Sequence, residues 1–412
     1  MKQSAFREFS IDNASILFLS LLRPHHTNIF RFSVQLHQPV CPETLQQAVN
    51  RLHPRFPSVI AGFQQRFFRY KQVAAETPPV VRPDPGALLP MSREELAKCA
   101  FRVFYQGNTI TLELFHALTD GHGTLMVFSS LLSEYLRLSG STEKAMGHSL
   151  YEQPQPYEVM DSYAQLATVK PRQLPSRFSY LLPRPADADW QVRNSTLTLD
   201  TTGLLDAAHR HGVTLNTLLT TLLAQTVMQM QLEDASVRQL KPVRIMVPVD
   251  IRRLTDGRTL RNCALYTLPT MEPHHRNLNL TQLCVNFHAQ LKQQLSPENL
   301  SAMASFNVRS QNRWYFRMLP WKLKAAALRL GYRFFGESNS SLTLTNLGRV
   351  SFPQELMPHI ADIRCTMLPR VTSPYGCTVM TFGDKLTLNM SRFCPSDQLG
   401  SRYFSAVRSL VE

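Results

Sequence analysis

The sequence has few cysteines, and they are not arranged in pairs. The seven cysteines stand at scattered positions, in an odd number and without a CxxC spacing. A disulfide framework or a zinc ribbon requires cysteines paired at short, regular spacings, so the sequence argues against both. We therefore expect buried, reduced thiols and a cytoplasmic protein.

A long hydrophobic run is also missing. The longest apolar stretch near the start, residues 14–22, contains two serines. It is shorter than the ~20 residues that a membrane-spanning helix needs. Acidic Glu8 and Asp12 precede it and the basic segment 23–26 follows it, which is the wrong flanking pattern for a signal peptide. We expect neither a membrane span nor a cleaved leader.

Acidic residues are scarce relative to basic ones. The chain of 412 residues has 44 Lys and Arg against 30 Asp and Glu, a net charge of +14. This excess favours anionic partners such as nucleic acid, a membrane surface or a phosphorylated ligand. Hydrophobic residues make up 43% and charged residues 18% of the chain, which excludes a largely disordered protein. The length predicts about two or three domains, or one large two-lobed unit.

Several catalytic signatures are absent as well. The sequence contains no GxxxxGKS/T phosphate loop, no GxSxG elbow and no HExxH zinc motif. The Gly121-His122-Gly123 segment lacks the third glycine of a dinucleotide fingerprint and does not directly follow a strand. These absences exclude a kinase, a serine hydrolase of the elbow type, a zincin and a Rossmann enzyme.

Hydrophobic patterning instead predicts a mixed α and β protein. The predicted strands cover residues 29–36, 108–115, 195–199, 243–251, 341–344, 378–382 and 385–390. The predicted helices cover residues 42–52, 124–138 and 214–231. Six prolines between residues 151 and 190 indicate a linker. We therefore predict an α+β protein with an N-terminal lobe over 1–170, a linker over 171–194 and a C-terminal lobe over 195–412.

A short motif follows the predicted strand 108–115. His116 stands at the strand end, Asp120 follows four residues later, and Gly121 precedes the next helix. A strand end fixes an imidazole on a cleft wall, and a neutral imidazole can accept a proton at pH 7. The aspartate can brace the turn, and the glycine permits a backbone geometry that other residues resist. This spacing also arises by chance around a packed histidine.

A metal site is a second interpretation of the same segment. His116, Asp120 and His122 are all residue types that bind metals. The sequence offers no further ligands at a suggestive spacing, so we expect no metal here.

The segment from Phe115 to Gly121 resembles the HxxxDG motif of the acyltransferase superfamily that includes chloramphenicol acetyltransferase, nonribosomal peptide condensation domains, plant BAHD enzymes and alcohol acetyltransferases. Three more segments resemble further motifs of that superfamily, in the same order: VPVDIRR at 247–253, TLRN at 259–262 and TLTNLG at 343–348. The resemblance extends from about residue 19 to residue 390. It is strongest to bacterial proteins of the alcohol acetyltransferase-like and condensation-domain-like kind.

Two features depart from the superfamily pattern. Phe115 stands where condensation domains usually carry a first histidine, which disfavours peptide-bond formation and leaves acyl transfer intact. The DFGWG signature of the plant enzymes is missing between residues 362 and 376, which argues against a plant-type enzyme.

The resemblance implies two lobes of chloramphenicol acetyltransferase type, each a mixed sheet flanked by helices, with an active-site tunnel between them. His116 would act as a general base on a hydroxyl or amine that attacks an acyl-CoA thioester, without a covalent acyl-enzyme. Asp120 would be structural and ion-paired to Arg252, and Gly121 would allow the turn. Acyl-CoA would be a co-substrate, with no bound cofactor and no metal.

The resemblance also implies a substrate side of the tunnel. Thr345 or Asn346 would donate a hydrogen bond to the developing oxyanion or to the acceptor. Asn262, in the TLRN turn, is assigned to the same side.

Other partners and functions stay open. A condensation-like transferase that takes its thioester from an acyl carrier protein has the same fold, and a catalytically inactive homologue would act as a binding module. The positive charge also suggests nucleic acid, but the basic residues are spread and no nucleic-acid motif is present, so we do not expect it. We expect a monomer, because two lobes of one chain can complete the site.

One stretch stands apart from the motifs. Residues 313–335 hold two of the three tryptophans and several basic residues at helical spacing after Pro320. A helix on a membrane surface is one interpretation. The favoured interpretation is a surface helix that packs its apolar side on the second lobe.

Overall fold

The computed structural model describes residues 7–142, 150, 152–167, 169–172, 178–184, 188–255 and 257–412, with the backbone alone at 334, 335 and 337. Two large sheets, each with its own hydrophobic core, form a two-lobed α+β protein. The predicted fold class is confirmed.

The elements follow one another in chain order. Up to residue 170 they are β1 (Glu8–Ser10), α1 (Asn13–Ser20), β2 (Ile29–Leu36), α2 (Pro42–Leu52), β3 (Ala61–Gln65), β4 (Tyr70–Ala74), β5 (Val81–Pro83), α3 (Arg93–Lys98), β6 (Phe101–Gln106), β7 (Thr109–Phe115), α4 (Gly121–Leu138) and α5 (Ser162–Leu166). After it they are β8 (Arg193–Asp200), α6 (Thr201–Arg210), α7 (Leu215–Glu233), β9 (Val243–Asp250), β10 (Ala264–Thr267), β11 (Thr270–Met271), α8 (Leu280–Gln294), α9 (Pro297–Asn312), α10 (Trp314–Met318), α11 (Trp321–Phe335), β12 (Leu342–Val350), β13 (Ile360–Met367), β14 (Tyr375–Phe382), β15 (Lys385–Arg392) and α12 (Gln398–Arg408).

The first large sheet has the strand order β13-β2-β7-β6-β5. Its strand β7 alternates as predicted, with Ile110, Leu112 and Leu114 buried in the first core. On the opposite face, the buried Glu113 accepts hydrogen bonds from Arg31 and Arg102. This carboxylate is therefore paired, as burial of a charge requires. Helices α2 and α4 pack into the same core, while β1, β4 and β3 form a separate small sheet.

The second large sheet has the order β10-β9-β12-β14-β15-β8, and β11 pairs with β9. Strands β14 and β15 form the predicted hairpin. Gly383 in its turn has a φ of 60°, a left-handed conformation that glycine adopts readily. Helices α6, α7, α8 and α12 contribute to the core of this sheet.

The second half of the chain also completes the first lobe. Strand β13 pairs antiparallel with β2 in the first sheet. Trp321 and Ala325 of α11 lie in the first core, so the expected packing of this helix on the second lobe is wrong. Its buried side faces α1 and the first core instead. The second half of the chain thus contributes β13 and part of α11 to the first lobe. The predicted boundaries at 1–170 and 195–412 stay a prediction.

The predicted linker is only partly described. Of residues 171–194, residues 173–177 and 185–187 lie outside the described residues. Strand β8 begins at Arg193, because that residue already pairs with Arg392 of β15. Before the linker, α5 packs on α9, where the Ser305 hydroxyl donates to the Leu166 carbonyl at 3.1 Å.

Two expectations concern membrane spans and thiols. Among the described parts of the chain, no helix has the length and apolar character needed to cross a bilayer.

All seven cysteines are free. Five of them are buried as expected, whereas Cys99 is half-buried and Cys41 is exposed. Cys41 is exposed because it lies at the solvent-facing N-terminal end of α2.

Candidate active site

A five-residue turn joins β7 to α4 and presents His116. The His116 N–H donates to the Asn28 carbonyl at 3.0 Å. The Asn262 side-chain amide donates to the His116 carbonyl at 2.9 Å. The backbone of the histidine is therefore held on both sides, once from its own lobe and once from the second lobe.

Two phenylalanine rings hold the imidazole of His116. Phe18 of α1 stacks on it with ring centroids 4.5 Å apart and a 19° interplanar angle. Phe30 of β2 meets it edge-on at 4.9 Å. Among the described residues, the buried Nδ1 has no hydrogen-bond partner. Since His116 also lines a large cavity and only its Nδ1 is fully buried, Nε2 is the nitrogen that a ligand can reach.

The surroundings of His116 favour its neutral form. Burial of the ring lowers the pKa of His116 below the ordinary value of a histidine. The nearby Asp120, Asn262 and Asp12 oppose this shift but do not overcome it. A neutral imidazole at pH 7 has a free lone pair and can act as a general base.

Asp120 is bonded on both carboxylate oxygens. Arg252 donates to both of them, at 2.9 and 3.0 Å. The Cys263 N–H adds a bond of 2.8 Å, and the Gly123 N–H adds one of 3.0 Å at the start of α4. The predicted contact between Asp120 and Arg252 is thus present, and it leaves Asp120 facing the protein rather than the cavity.

Arg252 joins the two lobes through this contact. It is 5% exposed, and it also donates to the carbonyls of Thr259 and Arg261. Burial alone would lower the pKa of Arg252, but the Asp120 carboxylate raises it above its ordinary value. The guanidinium therefore stays charged, and its charge and donors are used within the protein.

Gly121 has a different role from the one expected. Its φ is not in the left-handed region, so the turn does not need the backbone freedom of glycine at this position. A Cβ on Gly121 would instead lie 2.8 Å from Cδ2 of Leu347. Gly123 is more restricted, since its Cβ would lie 2.5 Å from the Leu260 carbonyl oxygen. Close approach between the lobes, rather than strain, explains glycine in this segment.

The cavity beside His116 has a volume of 610 Å³ and a mostly apolar wall. Residues from both lobes line it. They include Phe18, Ile29, Met246, Met303, Leu328 and Met367. A pocket of this size and character suits a drug-sized apolar ligand or an acyl chain.

The residues assigned to the substrate side separate in the structure. Thr345 lines the cavity, and its buried hydroxyl has no hydrogen-bond partner among the described residues. Asn346 points to the other face of β12, as strand alternation dictates. Its amide donates to Asn216 at 3.0 Å and accepts from the Gly348 N–H at 2.8 Å. The Asn262 side chain is hydrogen-bonded to the His116 carbonyl and is not on the substrate side.

The metal interpretation of the same segment finds no support in the geometry. Both oxygens of Asp120 face Arg252, and Nδ1 of His122 lies 4.0 Å from the Asp250 carboxylate. In the described ranges, no group of at least three His, Cys, Asp or Glu side chains could hold a metal ion.

One part of the site was not predicted from the sequence. Asp12 caps α1, the helix that carries Phe18, and accepts from the Ser15 N–H at 2.6 Å. Arg261 of the second lobe lies 3.4 Å from the Asp12 carboxylate and donates to the Ser10 carbonyl at 2.7 Å. The stacking partner of His116 is therefore positioned from the second lobe as well.

No known protein-family profile and no curated protein matches the chain. Solved structures do. Polyketide synthase associated protein 5 from Mycobacterium tuberculosis is 17% identical, with a TM-score of 0.65 over 98% of this chain and 97% of that one. Trichothecene 15-O-acetyltransferase from Fusarium sporotrichioides is 12% identical, with a TM-score of 0.64 over 98% and 95%. The starter condensation domain of rhizomide synthetase is 13% identical, with a TM-score of 0.54 over 98% and 95%.

The chain has the fold that these proteins share. This is the two-lobed fold that the four motifs predicted, and that prediction is confirmed. Identities this low show a common fold and leave substrate and chemistry to the site itself.

Proposed function

We propose that the protein is an acyltransferase that moves an acyl group from a thioester to a hydroxyl or amine acceptor. The observation that carries the proposal is the division within the motif. His116 lines an apolar cavity, and burial lowers its pKa and favours its neutral form, while Asp120 is fully bonded to Arg252 and to the backbone. This arrangement suits a base and its structural support.

Nε2 of His116 takes a proton from the acceptor O–H or N–H as the acceptor atom attacks the thioester carbonyl carbon. The carbonyl π electrons move to oxygen and give a tetrahedral oxyanion. When the oxyanion collapses, the C–S bond breaks and the leaving sulfur receives the proton from the His116 imidazolium. The histidine returns to its neutral form without an acyl-enzyme. General-base catalysis of this kind is worth ~10²–10⁴ in rate.

Thr345 is the proposed oxyanion donor. Its hydroxyl lines the same cavity as His116 and has no partner in the described part of the chain. A buried donor without a partner costs free energy in the resting protein, and a developing negative charge would satisfy it. Loss of one such donor typically lowers the rate about a hundredfold or more.

Acyl-CoA is the proposed donor. The net charge of +14 favours a phosphorylated molecule, and a Fusarium sporotrichioides protein of the same fold was crystallised with coenzyme A and T-2. A thioester on an acyl carrier protein is the alternative donor, since condensation domains share the fold.

Thioester turnover tests the proposal. Purified protein would be mixed with acetyl- to palmitoyl-CoA, with and without a panel of alcohols and amines, and free thiol would be measured. We expect thiol release that an acceptor stimulates and that is lost in His116→Ala. The absence of thiol release with every CoA ester and with a loaded carrier protein would reject the transferase. The protein would then be a binding module.

The same reaction tests for an acyl-enzyme. Intact-protein mass spectrometry during turnover should show no added acyl mass. A stable acyl adduct on the wild-type chain would contradict direct transfer.

A further inference from the structure

A group of large apolar side chains is exposed on one side of the molecule. They are Phe67, Trp314, Met318, Leu323 and Leu330, which are 71%, 77%, 64%, 59% and 60% exposed. Single exposed apolar residues are common, but a contiguous group marks an interaction site. We call this group, with the basic residues beside it, the aromatic–basic surface.

Direct contacts join its two parts, the β3–β4 turn and the helices α10 and α11. The Trp321 N–H donates to the Phe67 carbonyl at 2.9 Å, and the Lys324 ammonium donates to the Phe68 carbonyl at 3.0 Å. The rings of Tyr70 and Trp321 meet edge-on at 4.8 Å. The Lys324 ammonium also lies 5.4 Å from the centre of the Phe316 ring of α10, so the turn and the two helices form one continuous face.

The two segments of this face are basic, although Lys71 pairs with the exposed Glu8 of the neighbouring strand β1 at 3.0 Å. Residues 61–75 and 313–335 together contain nine Lys or Arg and no Asp or Glu. Arg66, Arg69, Arg317, Lys322 and Arg333 are exposed beside the apolar side chains. A patch of this composition is complementary to an anionic surface, where each Lys or Arg contributes about 1 kcal/mol of attraction.

Helix α11 has two apolar sides. Its inner side places Leu328 and Tyr332 in the wall of the cavity. Its outer side exposes Leu323 and Leu330 next to Lys322. A helix that merely covers a core has a polar outer side, whereas a helix in a bilayer interface has apolar and basic residues together there.

The cavity opens beside this face. Ser310 at the end of α9 and Ala327 of α11 both line the cavity and are exposed. We infer that the aromatic–basic surface docks on an anionic lipid bilayer, with its aromatic and aliphatic side chains in the interface and the mouth of the cavity against the membrane. On the proposed function, a lipid-soluble acceptor or acyl chain would then reach His116 directly from the bilayer.

Vesicle sedimentation tests the docking. The full chain would be mixed with phosphatidylcholine vesicles that contain or lack phosphatidylserine, at low and at high salt. We expect retention on the phosphatidylserine vesicles, and a decrease with salt because ions screen the surface charges. The double variant Lys322→Gln and Arg333→Gln should lower the partition coefficient about thirtyfold, at ~1 kcal/mol for each basic side chain.

A second variant tests the apolar side chains of the aromatic–basic surface. Trp314→Ser with Met318→Ser should weaken retention at both salt concentrations, since it removes inserted apolar surface rather than charge. The matched controls lie on or next to α8, where Val285, Arg276 and Lys292 are also exposed. Val285→Ser, and Arg276→Gln with Lys292→Gln, should leave retention unchanged. All variants should keep the wild-type unfolding midpoint.

The proposal would be overturned by no retention at low salt, by wild-type retention of the surface variants, or by an equal loss in the controls. Binding of the surface to an acidic carrier protein, without binding to vesicles, would also overturn it and assign the face to protein docking. Thiol release without vesicles tests the proposed function separately. Vesicle binding by a chain that releases no thiol would reject the function and keep the docking.

Discussion

The two ends of the His116-to-Asp120 turn have opposite surroundings. His116 lies at an apolar cavity wall, with a buried nitrogen that has no partner in the described part of the chain. Asp120 is more deeply buried than the half-buried His116, and both its oxygens are bonded by Arg252 and the backbone. One turn thus carries an imidazole kept free of bonds and a carboxylate kept fully bonded.

This contrast indicates different roles for His116 and Asp120. A buried group without a partner costs stability and is worth keeping only if a ligand uses it. A buried ion pair with complete hydrogen bonding holds the lobes together, and removal of one partner leaves an uncompensated charge. The histidine should therefore matter for rate, and the Asp120–Arg252 pair should matter for folding.

The largest expected effect concerns this ion pair. Arg252→Met should lower the free energy of unfolding by about 3–5 kcal/mol, because it leaves the buried Asp120 charge without its partner. The Arg402–Glu233 pair, at 2.6 Å with side chains 44% and 58% exposed, is the matched control. Arg402→Met should cost ~1 kcal/mol or less. Similar urea midpoints for the two variants would contradict the structural role of Arg252.

The cavity wall gives the next comparison. Thr345→Val keeps the shape of the side chain and removes the proposed oxyanion donor, so kcat should fall about a hundredfold. Thr343 lines the same cavity two residues earlier on β12, and Thr343→Val should have little effect. Steady-state thiol release would measure both. Equal losses of kcat in the two variants would show that Thr345 is not the oxyanion donor.

A smaller effect is expected from the two asparagines of the motifs. Asn262→Ala removes the bond to the His116 carbonyl, worth roughly 1 kcal/mol, and should lower kcat/KM about fivefold. Asn346 bonds Asn216 and Gly348 away from the cavity, so Asn346→Ala should leave kcat/KM unchanged. A larger loss in Asn346→Ala would place that residue at the substrate.

The pH dependence gives the smallest effect. Burial lowers the pKa of His116, so the acid limb of kcat/KM should have its midpoint below the ~6.5 of a free histidine.

The folded state binds the His116 proton less readily than the unfolded state, so folding stability falls as pH drops through this range. Burial shifts the pKa of His26 in the same direction. The difference between wild type and His116→Gln isolates the contribution of His116. A midpoint above 7 would contradict a desolvated base.

Local patterns predicted the regular elements well. The strand over 29–36 and the helix over 42–52 have the predicted bounds, since alternation and a proline at the helix start are local signals. Strand β13 was not predicted to join the first sheet. Its partner β2 lies at the other end of the chain, and pairing over that separation leaves no local pattern.

Prediction of the candidate site from local patterns has the same limit. The motifs point to His116, Asp120 and Arg252, and the structure brings these residues together with Asn262. The contributions of Phe18, Arg261 and Gly123 depend on contacts between distant segments. The spacing of residues along the chain cannot show such contacts.

Acceptor-stimulated thiol release by folded His116→Gln tests the central claim most directly. His122 lies in the first turn of α4, directly after this segment, and its side chain is 51% exposed, so His122→Gln is the matched control. The account predicts a loss of ~10²–10⁴ for His116→Gln with an unchanged unfolding midpoint, and wild-type activity for His122→Gln. Activity of His116→Gln within a few-fold of wild type would contradict it.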